Sequence, residues 1–408
     1  MTKFGIQEDS SSHMIYEATL EALNDADMSE IAKVHTLGLK SKASQRFPSM
    51  LKNTPRALAR GRVFDMSMNE IDAIVISNMD VLSNGERQRH SASMVSSLFQ
   101  KKLPIIAVPA GCAGGGTALW TAIKLQKSSN FNNILVVGFE KMIANISQKV
   151  TNEILMGAER IYEQAEGLNF PAQNALVAQQ YMLKYGATTD DFALVAYKNH
   201  QNAFLNPKAR FYKKEVTLGQ IKNSPVVASP LRLFDCSISC NGASALILSK
   251  EKSDIEIIGS AEESDYLAPF ERDNMTSFES AKKAAEIAYK EAGIAPSQID
   301  IAEVHDAFTP LELISYEDLG FCNKGEGREM VIKGVTNVYG ELPINTSGGL
   351  KAKGHPVSAT GIAQIYELVE QMRGECGERQ VKKPRYGLAH NIGGVGSVST
   401  VHILKNLN

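Results

Sequence analysis

Apolar positions along the 408-residue chain alternate between two kinds of segment. Short runs dense in Ile and Val, bounded by Gly, Pro or polar residues, predict strands, and stretches with apolar residues three and four apart predict helices packed on them. Ser11 to Asp25 is the first such helix, with Met14, Ile15, Ala18, Ala22 and Leu23 on one face and a serine available as N-cap. Asp72 to Ser77 follows as a strand, then a loop and a helix through Ser97. Leu103 to Val108 predicts a buried strand, broken by Pro109-Ala110-Gly111, with a helix from Thr117 onward. Asn133 to Gly138 is a further buried strand.

From Asn145 to about Arg232 the pattern is irregular, with helical pieces at Ala175 to Tyr185 and Thr189 to His200, and predicts an excursion out of a sheet. Ser244 to Ser249 closes that sheet, and Ile255 to Gly259 opens another. The alanine-faced helix at Ala281, Ala284, Ala285, Ala288 and Ala292 then starts the order again. NEIDAIVIS, ending at Ser77, matches SQIDIAEVH, ending at His305. Cys112 to Thr117 has the spacing of His355 to Thr360, and the strand ending at Gly138 matches the run ending at His390. The pattern predicts two copies of one α/β unit, residues 1–250 and 251–408, with Cys112 and His355 at equivalent helix starts.

Composition narrows the class. Hydrophobic residues at 43% and charged residues at 22% suit a globular chain with a large core, and a net charge of -2 argues against non-specific nucleic-acid binding by the whole surface. The five cysteines are scattered and odd in number, which argues against a disulfide framework and for a reducing compartment. No apolar run reaches membrane-span length and the start lacks a signal-peptide pattern, so a cytoplasmic protein is expected. Residues 31–64 carry eight basic and no acidic side chains before Asp65, a patch that reads either as a phosphate- or partner-binding arm or as a solvated insertion, the latter being favoured.

Candidate chemistry gathers at the junctions. A thiol at a helix N-terminus sees the positive end of the dipole, which favours the thiolate and prepares a nucleophile. Taken alone, Cys112 also suits an inert core cysteine. His355 in KGHPVSATG, His305 in VHDAF and His390 in LAHNIGG sit at element ends in the second half. A neutral imidazole within reach of a thiol is the usual activating base, so the four residues together predict a catalytic site. Gly393-Gly394-Val395-Gly396 lacks the dinucleotide spacing, Cys236 and Cys240 lack a second ligand pair for zinc, and Cys322 and Cys376 read as structural. No metal site is expected.

The segments GCAGGG, DCSISCNGASALIL, VHDAFTPLELISYEDLGF, NTSGGLKAKGHPVSATG and HNIGGVGS, in this order over nearly the whole chain, resemble thiolases, in particular the archaeal and sterol-carrier-protein type. The resemblance implies the thiolase fold, two βαβαβαββ halves in α-β-α-β-α layers, with a loop domain at about 145–232 inserted in the first half and covering coenzyme A. It implies that Cys112 accepts an acyl group from a CoA thioester, that His355 activates it, and that His305, where many thiolases have Asn, holds the water that stabilises an enolate oxygen. Backbone N–H groups of Cys112 and of the loop at Gly393 and Gly394 would form an oxyanion hole, worth about 3 kcal/mol per donor. Ser237 matches a pantetheine contact.

The implied reaction joins two acetyl-CoA into acetoacetyl-CoA or cleaves a 3-oxoacyl-CoA, without metal or redox cofactor. The implied assembly is a dimer or tetramer, with 3-hydroxy-3-methylglutaryl-CoA synthase and an OB-fold/zinc-ribbon protein as partners. A degradative thiolase for longer or sterol-derived acyl chains, and a non-catalytic acyl-CoA-binding or channelling subunit, are the alternatives. Three departures matter. His390 stands where many thiolases have a second cysteine, and Ala307 stands where sterol-carrier-protein thiolases supply one. The third is a central strand expected just before Met1, so that either an upstream start or another segment filling the gap is expected.

Overall fold

The computed structural model describes residues 1–5, 10–26, 68–79, 90–128, 130–143 and 154–408. The basic segment 31–64 and the start of the 145–232 excursion lie outside them. In chain order the elements that position the site are α1 (Ser11–Asp25), β1 (Ala73–Ser77), α2 (Ser91–Phe99), β2 (Ile105–Ala107), α3 (Gly114–Ser128) and β3 (Asn133–Lys141). There follow α4 (Phe170–Tyr185), α5 (Thr189–Leu205), β4 (Asn241–Ser249), β5 (Ile255–Ser264), α6 (Glu279–Ala292) and β6 (Ile301–Glu303). The chain ends with α7 (Thr309–Asp318), α8 (Thr360–Arg373), β7 (Tyr386–Gly393) and β8 (Val398–Asn406).

Two four-stranded sheets form, β2-β1-β3-β4 and β5-β8-β7-β6. Their ladders match: β1 runs parallel to β3 as β6 does to β7, and β3 antiparallel to β4 as β7 does to β8. Even the marginal pieces correspond. Ile344 bridges β6 in parallel as β2 flanks β1, and Gly5 bridges β4 antiparallel as β5 flanks β8. The repeat in the sequence is therefore a repeat in topology. β1 is buried on both faces, which is why it reads as an unbroken apolar run. Ala73 and Val75 face α3 and α8, whereas Ile74 and Ile76 pack with Met14, Ile15 and Ala18 of α1. On the far side of the second sheet, Ala281, Ala284, Ala285 and Ala288 of α6 join Val401 and Ile403 of β8. The layers run α1, first sheet, α3 with α8, second sheet, α6. Ser10 caps α1, its side chain accepting from His13 N at 3.2 Å.

The middle layer decides where the site lies. A methyl group on Gly115 would meet Gly361 N at 2.8 Å, Ile362 N at 2.9 Å and Ser358 O at 2.9 Å. The N-terminal turns of α3 and α8 thus touch backbone to backbone, an approach only glycine permits. That contact brings the two equivalent corners, one carrying Cys112 and the other His355, into one region.

Several expectations are corrected. α3 begins at Gly114, three residues before Thr117, because packing against α8 outweighs the poor helix propensity of glycine. β2 is half-exposed, not buried, since it is the edge strand. The strand expected to run to His305 ends at Glu303, and the one expected to stop at His390 continues to Gly393. The place of the strand expected before Met1 is an edge, beside β4, and not central: β5 lies at the outer edge of the second sheet. Met1 to Gly5 run along that edge, with Thr2 N donating to Ala243 O at 3.0 Å and Asn241 N to Gly5 O at 2.8 Å.

Candidate active site

Cys112 lies in the tight turn Gly111–Ala113 that leads into α3. It opens onto a cavity of about 200 Å³ whose walls include Met79, Ile154, Phe170, Val357, Gly393 and Gly394. The cavity is mainly apolar, so a polar reactant entering it loses water and feels fixed backbone groups strongly. The Gly394 N–H is directed at the sulfur and favours its anion, but burial and the neighbouring Glu140 carboxylate prevail and push the thiol up to about 12. This overturns the expectation that the helix start alone would favour a thiolate. Glu140 accepts from Ser358 Oγ at 2.9 Å and from Met79 N at 3.0 Å, tying the segment that leads into α8 to Met79 of the cavity wall.

None of the three imidazoles lines that cavity. His305 and His355 meet edge to face, their rings 5.3 Å apart and 88° inclined. His355 is buried and held well below its ordinary value, at about 3, by desolvation and by Lys353, so it is neutral. His305 is lowered by desolvation and by the other two histidines. His355 Nδ1 pairs with Thr360 Oγ1 at 2.7 Å, and its Nε2 is buried without a partner. His305 Nδ1 pairs with Asn391 Nδ2 at 3.0 Å. Both ring nitrogens of His390 lack partners, and burial lowers its pKa to about 3. In β7, Leu388 and Ile392 belong to the outer cluster and Ala389 to the middle layer, so alternation puts His390 on the outer face and Asn391 on the inner one.

Buried carboxylates hold the loop that carries His355. Asp306 accepts from Leu350 N at 2.6 Å and Lys351 N at 3.2 Å, while Glu303 accepts from Ser347 N at 3.0 Å. Asn199 of α5 ties Asp306 to Glu312 at 2.7 and 2.6 Å, and Lys198 pairs with Glu312. The loop is fixed by backbone N–H groups donating to buried carboxylates, not by surface ion pairs, which would be weak.

Residues 27–229 match the family description "Thiolase, N-terminal domain", and residues 261–406 match "Thiolase C-terminal domain-like". The chain belongs to the thiolase family. An acetyl-CoA acetyltransferase of Methanothermobacter thermautotrophicus is 39% identical over 82% of this chain and 89% of its own length. Another from Methanocaldococcus jannaschii is 40% identical over 83% and 89%. Sterol carrier protein 2 of Bos taurus is 35% identical over 79% of this chain, which spans 62% of that protein. Among solved structures, an Ltp2-ChsH2(DUF35) aldolase superposes with a TM-score of 0.70 at 26% identity, covering 86% of this chain and 91% of that one. Human mitochondrial 3-ketoacyl-CoA thiolase gives a TM-score of 0.66 at 15% identity over 100% and 97%, a likeness of fold.

In this thiolase Cys112, Gly393 and Gly394 share the cavity, while His305, His355 and His390 cluster beside it. Among the described residues no hydrogen bond joins Cys112 to any of the three rings, the reach that activation of the thiol by His355 requires. Ser237 N donates to Ala307 O at 2.8 Å and does not line the cavity. That segment runs between the His305 and His355 loops, with His355 N donating to Ile238 O at 3.0 Å. Sequence reasoning missed Asn391, Thr360 and Glu140. Asn391 carried a signal, since it follows His390 in HNIGG, but its partner Gly116 lies 275 positions away. Among the described residues no group of three or more His, Cys, Asp or Glu is placed to hold a metal ion, and no helix is long and apolar enough to cross a membrane.

Proposed function

We propose that this thiolase condenses two acetyl-CoA into acetoacetyl-CoA and CoA, or runs the same steps backwards on a 3-oxoacyl-CoA. The observation that carries the reading is a thiol opening onto an apolar cavity under the Gly394 N–H, backed by neutral imidazoles. Arrival of a thioester brings the Cys112 proton to His355, and the sulfur attacks the thioester carbonyl. The new S–C bond forms as the CoA C–S bond breaks, and the CoA sulfur takes the proton from His355. The high thiol pKa suits this order, because the proton leaves only when a reactant accepts the sulfur's electrons. N–H groups of Cys112 and Gly394 stabilise the oxyanion, each worth about 3 kcal/mol.

In the second half-reaction an enolate, its oxygen stabilised at His305, attacks the acyl-cysteine. Its α-proton goes to His390 or to a water held by His305 and His355. His390→Ala separates the two: unchanged condensation with unchanged acyl transfer removes His390. Ser237 and the 145–232 excursion are assigned to pantetheine and CoA, within halves 1–250 and 251–408. No cofactor beyond the substrate thioester, a cytoplasmic site of action and a homodimer or tetramer belong to the same reading. A DUF35 component named in the neighbouring aldolase complex favours a small partner protein of that class; hydroxymethylglutaryl-CoA synthase and a mevalonate role are its further extensions. Thiolysis of acetoacetyl-CoA by CoA tests the reading. Turnover abolished by Cys112→Ser supports it, whereas acyl-CoA binding without turnover in the wild type sinks it in favour of a binding subunit.

A further inference from the structure

Two hydrogen-bond chains reach the neighbouring imidazoles and give each a placement of protons. Gly116 N–H donates to Asn391 Oδ1 over 3.2 Å, which turns the amide nitrogen toward His305. Asn391 Nδ2 can only donate, so His305 Nδ1, 3.0 Å away, is the acceptor and the ring carries its proton on Nε2. At His355 the order reverses. The Thr360 hydroxyl has one proton; with that proton on the Pro356 carbonyl, 3.1 Å away, its oxygen accepts from His355 Nδ1 at 2.7 Å. Nε2 of His355 is then a bare lone pair, buried and unpartnered.

We propose that Thr360 and Asn391 are positioning residues that hold His355 and His305 as opposite neutral tautomers, one presenting a free Nε2 lone pair and the other an Nε2–H. The chemical roles rest on the acyl-transfer reading: the lone pair takes the thiol proton and the N–H donates to an enolate oxygen. The rings meet edge to face with centroids 5.3 Å apart, so the acceptor and the donor belong to neighbouring rings. Both partners are buried, Thr360 at 0% exposure and Asn391 at 2%, so water does not scramble the assignment. The tautomer of a histidine is set by the bond its other nitrogen makes, and a wrong one disables it as a base.

The test uses full-length protein labelled with ¹⁵N-histidine, with ring signals assigned through His355→Gln and His305→Asn. The wild type is expected to show His355 protonated on Nδ1 and His305 on Nε2. Thr360→Val, which keeps the shape and removes the acceptor, is expected to move the His355 proton to Nε2. It should lower kcat for thiolysis by at least about 10²-fold, the lower end of what general acid–base catalysis contributes, with KM unchanged. Thr360→Ser should restore both spectrum and rate. A wild-type His355 protonated on Nε2, or a Thr360→Val protein with wild-type tautomer or wild-type rate, overturns the proposal. Should Thr360→Val not fold, the wild-type and Thr360→Ser spectra still decide. Absence of thiolysis in the wild type would count against the acyl-transfer reading, while the spectra would go on testing the tautomers.

Discussion

Gly361→Ala probes the contact on which the site is built. In an open helix this change stabilises by about 1 kcal/mol, because alanine is the better helix former. Here the new methyl would sit 2.5 Å from Asn391 Oδ1 and 2.8 Å from the Gly115 carbonyl carbon, and closer still to Gly116 N. Those neighbours are mostly backbone, which has no rotamer to yield. Overpacking of this kind costs about 1–3 kcal/mol, and the immobile surroundings call for the upper end. Set against the propensity gain, the net loss is about 2 kcal/mol. Relief comes from parting α3 and α8, which moves Cys112 away from the imidazoles, and a misplacement near 1 Å costs about 10²-fold in rate. Urea unfolding followed by far-UV circular dichroism, with thiolysis on the same samples, measures both. Gly219→Ala is the control: its methyl would meet only Thr217 Oγ1, at 3.9 Å, so stability should hold or rise. A Gly361→Ala protein as stable and as active as the wild type would refute the backbone contact.

Glu140→Gln removes the negative charge that helps hold the Cys112 thiol up near 12, so its titration moves down and iodoacetamide alkylates Cys112 faster at a given pH; an unchanged alkylation profile would show that burial alone sets the value. His200 is buried between Phe211 and Phe234 with both ring nitrogens unpartnered, and desolvation followed by Lys351 lowers its pKa to about 3. A lowered pKa means the folded state disfavours the proton, so this group's contribution is full above the ordinary value of 6.5 and is lost as pH falls toward 3. His200→Phe should raise stability at neutral pH by about 1–2 kcal/mol, the cost of unsatisfied polar atoms, and flatten the acid limb of a pH series of unfolding midpoints.

The architecture was legible because two independent signals agreed: the strand and helix order restarts near Ile255, and reactive residues recur at the same corner of each copy. Composition could not show which strands are edges. Ile105 and Ile106 look as buried as Ile74 and Ile76, yet only the latter lie between two neighbours. Reactive side chains announce themselves by type; the groups that orient them do not. Thr360 reads as an ordinary helix-start threonine until Pro356 O and His355 Nδ1 are seen on either side of it. Asn391 and Glu140 act through Gly116, His305 and Ser358, partners set by topology and invisible to local pattern. The misjudged thiol has the same origin, because the helix start is local whereas burial and then the Glu140 charge come from the packing of distant segments.

The meeting of Gly115 with Gly361 joins the two halves through backbone, just beyond the turn that carries Cys112. Such a seam cannot serve as a hinge: any swing of one half against the other would pull the chamber apart before it admitted anything. Ile154, Gly157 and Phe170, which also line the cavity, belong to neither sheet, so that part of its wall is independent of the seam.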